Sequence, residues 1–395
     1  MDFISKFQTG KLIIAAVGCL CLSGCWDIVE VNQIAIVNLV GLDKDPESRE
    51  ETVYYQVINP TGISGQKSSG VKSPVYTYRV NGYTSGEVAS RTLELLPRRP
   101  FFDHYQALIV SERFAKDGVR EMINFIEKQS DRRSETYLLV ADSPLKELME
   151  TYIPLERLPG RNLRSMIELQ SKYTNQISDQ SRIKDLAENL ESDTLTVLPI
   201  VSLSNAQAMP TTERFEQMNA NVGNILLSGG AIFKHDRMIG KLKHSEMPLY
   251  YLLNNRVGVL KQSLIVNEEA VDVSTAHTKV RKALSLDSGK PVLKIDIIAQ
   301  LELIDNDQKE KLTLQNLADI KREFNWQMHE KASAFYNKMV RNGWDIVGVE
   351  EQIKRKRGKE WAAAKKDKTV WQETKLDLTV NSTIGSIGNT LDPYQ

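Results

Sequence analysis

No apolar run in the sequence approaches the roughly 18 residues that a bilayer-spanning helix requires, so hydropathy offers no transmembrane segment. Net charge is missing too. The 51 basic residues are balanced by 51 acidic ones, which argues against a polyelectrolyte as partner of the whole chain. Cysteine is scarce: Cys19, Cys21 and Cys25 are the only three, so beyond residue 25 there is no disulfide to staple a fold and no thiolate for catalysis or metal binding. His104, His235, His244, His277 and His329 are scattered singly, without an HxH, HExxH or Cys/His cluster, and give a zinc site little support. A hydrolase would need a nucleophile or metal set that is not found.

What is present begins at the N-terminus. Lys6 and Lys11 form a positive region, Leu12 to Leu22 is unbroken and apolar, and Leu22-Ser23-Gly24-Cys25 closes it with small residues before a cysteine. Eleven helical residues reach about 17 Å against about 30 Å of hydrocarbon, which suits an export leader better than a span. The final four residues match the bacterial lipobox. A plain secretory signal, or a short buried segment, is the blander alternative; the agreement of charge, length and lipobox in order favours cleavage between Gly24 and Cys25, with a diacylglyceryl group on Cys25. Two acyl chains, at about 0.8 kcal/mol per buried methylene, hold a protein stably at a bilayer where one is marginal. That covalent lipid is the only non-protein group expected. Cys19 and Cys21 leave with the leader.

The remainder divides into a leader at 1–24, an N-terminal α+β region at 25–204 with room for two subdomains, a linker at 205–223 and a C-terminal α+β domain at 224–390. Strands are expected at Ile34–Val40, Thr52–Ile58, Val75–Val80, Ala107–Val110 and Thr136–Ala141. Helices are expected at Ser85–Leu96, with Val88, Leu93 and Leu96 on one face, and at Ser111–Gln129, with Phe114, Met122 and Ile126 inward. Pro60–Pro74 reads as a surface connector, with a binding loop as the alternative, and Pro97–His104 as a stiff connection. This alternation predicts mixed sheets with helices packed on them. Thr194–Ser202 is a buried strand, and Ile225–Phe233 with Met238–Leu242 is a hairpin that opens the second domain. There, Val292–Leu303 alternates as a half-buried antiparallel strand, Leu317 to Met339 carries a helical apolar stripe, and Lys375–Ile384 is an edge strand. The C-terminal domain is therefore expected to be antiparallel strands covered by one long helix.

Two features invite function. His104 could act as a base, but nothing beside it supplies a nucleophile, and a structural histidine fits better. Lys354–Lys368 holds eight basic residues against Glu360 and Asp367. Export removes nucleic acid as its partner, leaving anionic headgroups or a solvated helix face.

Four blocks resemble the Ger(x)C family, the C-subunit lipoproteins of bacterial spore nutrient-germinant receptors. They are Cys25-Trp26-Asp27 with Glu30, Asn32 and Gly41-Leu42-Asp43; Arg91–Val110 with Leu93, Pro97, Arg98, Phe102 and His104; Ser228–Phe233, including Gly230, with Gly240 and Glu246; and Asp345-Ile346-Val347-Gly348 with Trp361. Val349-Glu350 replaces an expected second glycine after Gly348, and no aromatic residue follows Trp371. The resemblance implies several α+β domains and a non-enzymatic body on the outer face of the spore inner membrane. It also implies assembly with an A subunit and a transporter-like B subunit in a complex that senses small nutrients. A lipid-anchored solute-binding protein is the alternative, and it calls for a deep cleft between two similar lobes.

Overall fold

The computed structural model describes residues 30–63, 73–129, 133–256, 258–306, 312–367 and 369–387. The first sheet is built from β1 (Ile34–Lys44), β2 (Glu51–Ile58), β3 (Val75–Gly82), β4 (Arg99–Phe101), β5 (Ala107–Ser111), β6 (Tyr137–Ala141), β7 (Thr196–Leu203), β8 (Ile225–Lys234) and β9 (Arg237–Lys243), in the order β3-β2-β1-β5-β6-β7-β8-β9. β1, β5, β6 and β7 run parallel, and antiparallel pairs flank them on both sides. β4 pairs with the start of β1, Ile34 opposite Arg99, so the expected stiff connection contains a short strand.

The four parallel strands are apolar on both faces, as strands covered on both sides must be. Leu39, Ile109 and Leu139 point to one core, while Val40, Leu108, Val110 and Leu138 point to the other. The second of these cores is covered by α1 (Ser85–Leu95), α2 (Glu112–Asp117) and α3 (Arg120–Lys128). The expected single helix from Ser111 is two helices, because Gly118 adopts φ +126°, outside the helical region. Ser111 caps α2 by accepting from the Phe114 N–H at 3.2 Å. On α1, Val88 is buried, as is Leu96 just past its end, but Leu93 is 62% exposed and leaves the expected face. α4 (Leu145–Met149) and α5 (Pro159–Tyr173) close the first core, and α6 (Ile183–Ala187) returns to the second.

The β8–β9 hairpin extends the first sheet instead of opening the second, with β8 paired along β7 from Thr196–Phe233 to Leu203–Ile225. Residues 205–223, expected as a linker, form an excursion anchored by the fully buried Arg214, which donates to the carbonyls of Asn219 and Ala220. After α7 (Met247–Leu253), the second sheet has the order β10 (Lys261–Val266), β11 (Glu269–Asp287), β12 (Lys290–Asn306), β13 (Lys375–Ser386). β12 buries alternate residues from Leu293 to Leu303, pairs antiparallel with β11 and parallel with β13, so this sheet is mixed at its edge. The β11–β12 turn is two residues, Ser288-Gly289, both at positive φ (51° and 82°), the geometry that matches strand twist in a tight hairpin.

α8 (Leu314–Arg341) lies on this sheet through Ile320, Phe324, Met328, Phe335 and Met339, and Leu317 is half-buried. α9 (Val349–Arg355) and α10 (Ala362–Lys366) follow. One apolar cluster runs without a break from Leu39 under the first sheet, through Tyr250 and Leu252 of α7, to Leu378 and Val380 of β13. Further links are Tyr251 Oη accepting from the Ser178 N–H at 2.9 Å and Asn254 donating to the Ile346 carbonyl at 3.0 Å.

Trp344 seals this joint against β9, and a Cβ on Gly240 would sit 2.0 Å from the indole. Gly240→Ala is expected to destabilise by about 1–3 kcal/mol, the range for overpacking. A urea midpoint equal to that of the wild type would show that the indole moves aside freely.

Candidate functional site

Gly24, Cys25, Trp26 and Asp27 lie outside the described residues. Glu30 and Asn32 are exposed where the chain enters β1. Of the other residues expected as a signature, Leu42, Asp43, Leu93 and Phe102 line one hollow, and the rest fall in separate places. His104 is exposed, its ring edge-on to Phe101 at 5.6 Å. Gly230 lies in β8 where a Cβ would meet Met247 Sδ and Val197 at 2.5 Å, and Phe233 is wholly buried. Asp345 is buried and accepts the N–H groups of Val349 and Glu350 at 2.8 and 2.7 Å, closing the first turn of α9. Burial raises its carboxyl above the ordinary range, and the backbone hydrogen bonds only partly offset this. Gly348 supplies the left-handed φ of 69° at the entry to α9. Trp361 is buried with Lys356 Nζ 5.5 Å above its ring. These residues shape turns and close contacts. Among the described residues, no group of three or more His, Cys, Asp and Glu is placed to hold a metal ion.

The hollow that does converge was not foreseen from the sequence. A slot of about 460 Å³ lies on the second core's side of the first sheet, with α1 and α3 as its walls. Its floor is one face of β1 and β2, Val40, Leu42, Val53 and Tyr55, and its walls include Val88, Ala89, Met122 and Phe125. The helical wall residues recur three and four apart, as one face of each helix requires. Tyr83 and Leu93, 60% and 62% exposed, stand at the mouth. Lys44, at the carboxyl end of β1, carries the polar end of the slot. Its ammonium is 3.2 Å from Glu51 and 3.3 Å from Glu121, an arrangement that keeps a nearly buried charge paired. Next to it Arg113 grips Asp43 at 2.6 Å and Asp45 at 2.7 Å. Burial opposes ionisation of Asp43, but hydrogen bonds from Arg113 and Ser111 outweigh it and hold the carboxyl below its ordinary range.

A second region is the opposite edge, where the parallel strands begin. Leu39 of β1, Ala107 of β5 and Tyr137 of β6 are level, while β1 overhangs by five residues to Ile34. The chain therefore enters the fold from this edge. The basic run starts at the same edge, because Lys354 is 2.5 Å from Asp193, just before β7, and 3.0 Å from Glu350. Those two hydrogen bonds, Asp193 first, raise the Lys354 ammonium above its ordinary range. Arg355 pairs with Glu351 at 2.9 Å. Arg357, Lys359, Lys365 and Lys366 are exposed and make no ion pair among the described residues.

Two family models match the chain in order: the spore germination protein N-terminal domain over residues 27–203, and the spore germination B3/GerAC-like C-terminal domain over residues 228–388. The chain belongs to the Ger(x)C family. Spore germination protein KC of Bacillus subtilis (strain 168) is 21% identical over 410 residues, covering 97% of each chain. Spore germination protein A3 of the same organism is 24% identical over 190 residues, covering 48% of this chain and 50% of its own. The crystal structure of the GerBC protein superposes with a TM-score of 0.56 at 15% identity, covering 91% of this chain and all of that one, so the multi-domain α+β fold is shared. In this Ger(x)C chain the second family model begins inside β8, although β8 hydrogen-bonds to β7 and belongs to the first sheet. No helix among the described residues is long and apolar enough to cross a membrane.

A carboxyl whose folded pKa is depressed stabilises the fold above its unfolded pKa, near 3.9 for Asp, and loses that contribution as the pH falls through the folded value. Asp43 is such a group. Between pH 5 and pH 2 the wild type is expected to lose more unfolding free energy than Asp43→Asn, read from urea midpoints. Parallel curves for the two proteins would remove the Arg113–Asp43 contact from the acid response.

Proposed function

We propose that this Ger(x)C chain is the lipid-anchored C subunit of a spore nutrient-germinant receptor. In this reading it works without chemistry of its own, as an assembly and signalling component beside membrane-embedded A and B subunits. The observation that carries the reading is positional: the first family model begins at residue 27, directly behind the lipobox cysteine Cys25. The leader is thus followed at once by germination-protein sequence.

The fold supports a body held close to a bilayer. Cys25 and Ile34 are nine residues apart, a reach of at most about 30 Å, and Ile34 begins the strand that overhangs the entry edge. Arg357, Lys359, Lys365 and Lys366, which make no ion pair among the described residues, follow Lys354, which is pinned at that edge, and each is suited to an anionic headgroup on the outer face of the membrane.

Affinity capture from dormant-spore inner membrane, comparing the wild type with Cys25→Ala, tests this. The A and B subunits are expected with the lipidated chain and should be strongly reduced with the variant. Equal recovery would sink the tether as the positioning device, and recovery from neither would sink the receptor-subunit reading.

A further inference from the structure

The slot between α1 and α3 has no part in the anchoring, although Leu42, Asp43, Leu93 and Phe102 of the family blocks line it, and its construction is that of a small-molecule site. Its volume of about 460 Å³ lies within the roughly 300–1,000 Å³ range of ligand pockets. The floor runs along β1 from Val40 to Lys44, about 13 Å at the rise of a strand, and is apolar until the charged end. Arg99, opposite Ile34 at the start of β1, also lines the slot, so the apolar stretch lies between this cation and the Lys44 end.

The charged end sets the sign of that terminus. Lys44 and Arg113 face Asp43, Asp45, Glu51 and Glu121 there, so carboxylates outnumber cations. Glu121 is the carboxylate with capacity to spare, its side chain being 82% exposed at the slot's rim. An incoming carboxylate would meet a surplus of its own charge, whereas an ammonium group would complete the set. The opening is already framed: α1 buries only Val88 and Thr92 along its length, and leaves Ala89 and Leu93 standing at the slot.

The geometry points to a binding site for a small amphiphile with an apolar body of about six to eight carbons and a cationic head. The body lies over Val40, Leu42 and Val53 between the two helices, and the head sits against Glu121 and Glu51. A peptide segment of another protein is the competing occupant. The slot's limited volume favours a small molecule.

The test uses the chain from residue 26 to 395, which keeps every described residue, with three probes of one body and different heads: hexylammonium, hexanol and hexanoate. Calorimetric titration is expected to give saturable hexylammonium binding at least tenfold tighter than hexanoate, with hexanol between them. Ala89→Trp, at an exposed helix position, should fill the slot and abolish binding of all three. Glu121→Gln should weaken hexylammonium several-fold and leave hexanol unchanged, a split that general loosening of the fold would not produce. Three results overturn the proposal: no saturable binding to wild-type protein of native melting behaviour, hexanoate bound as tightly as hexylammonium, or binding indifferent to both substitutions. If no probe binds and Ala89→Trp instead loses receptor subunits in membrane capture, the slot belongs to a protein segment and the proposal also falls.

Discussion

Everything in this fold follows from the need to bury both faces of β1, β5, β6 and β7. Parallel strands with aliphatic residues on each side are stable only when both sides are covered, since each exposed Leu or Ile forfeits about 1.5–3 kcal/mol. On one face the cover is local, supplied by helices from the same stretch of chain. On the other it is shared: the core under Leu39 and Ile109 continues through α7 into the second sheet and its long helix. The two halves are therefore joined by a common interior, and the β8–β9 hairpin, with Trp344 packed on Gly240, stands at the joint.

The local cover is also where the structure leaves room. α2 and α3 bury Phe114, Met122, Ile123 and Ile126 against the sheet. α1 leaves Leu93 and Leu95 exposed, and the slot lies between it and α3. It is bounded at the carboxyl end of β1 by ionic contacts that a merely unfilled core would not need, because charges brought this close to an apolar interior persist only when paired. The opposite edge carries the chain's entry and the basic run.

The residues expected as a family signature from the sequence serve this architecture in the structure. Gly230 and Gly240 permit close approach, Gly348 permits a left-handed turn, Asp345 satisfies the start of α9, and Phe233 and Trp361 fill space. A side chain fixed by such demands tolerates little substitution, so a sequence signature can be strong while marking no reactive site. His104 fits the same account, exposed beside Phe101 at the entry edge.

Much was legible from sequence alone, and for definite reasons. Period-two and period-3.6 patterns are local, so most strands of the first sheet, the alternation of β12 and the stripe of α8 could be read directly. The α+β class and the family followed from pattern and motif. β10 and β11 escaped because their burial is intermittent and polar residues such as Thr278, Lys279 and Arg281 interrupt the pattern. The break at Gly118 and the outward turn of Leu93 escaped because both depend on what lies across the packing interface. The sheet that β8 joins, the burial of Arg214 inside a polar stretch and the slot itself were decided only by tertiary structure. Which strand pairs with which, and how far a helix stands from the sheet it covers, are set by contacts between residues far apart in the chain, such as Lys44 with Glu121. No local pattern encodes those distances.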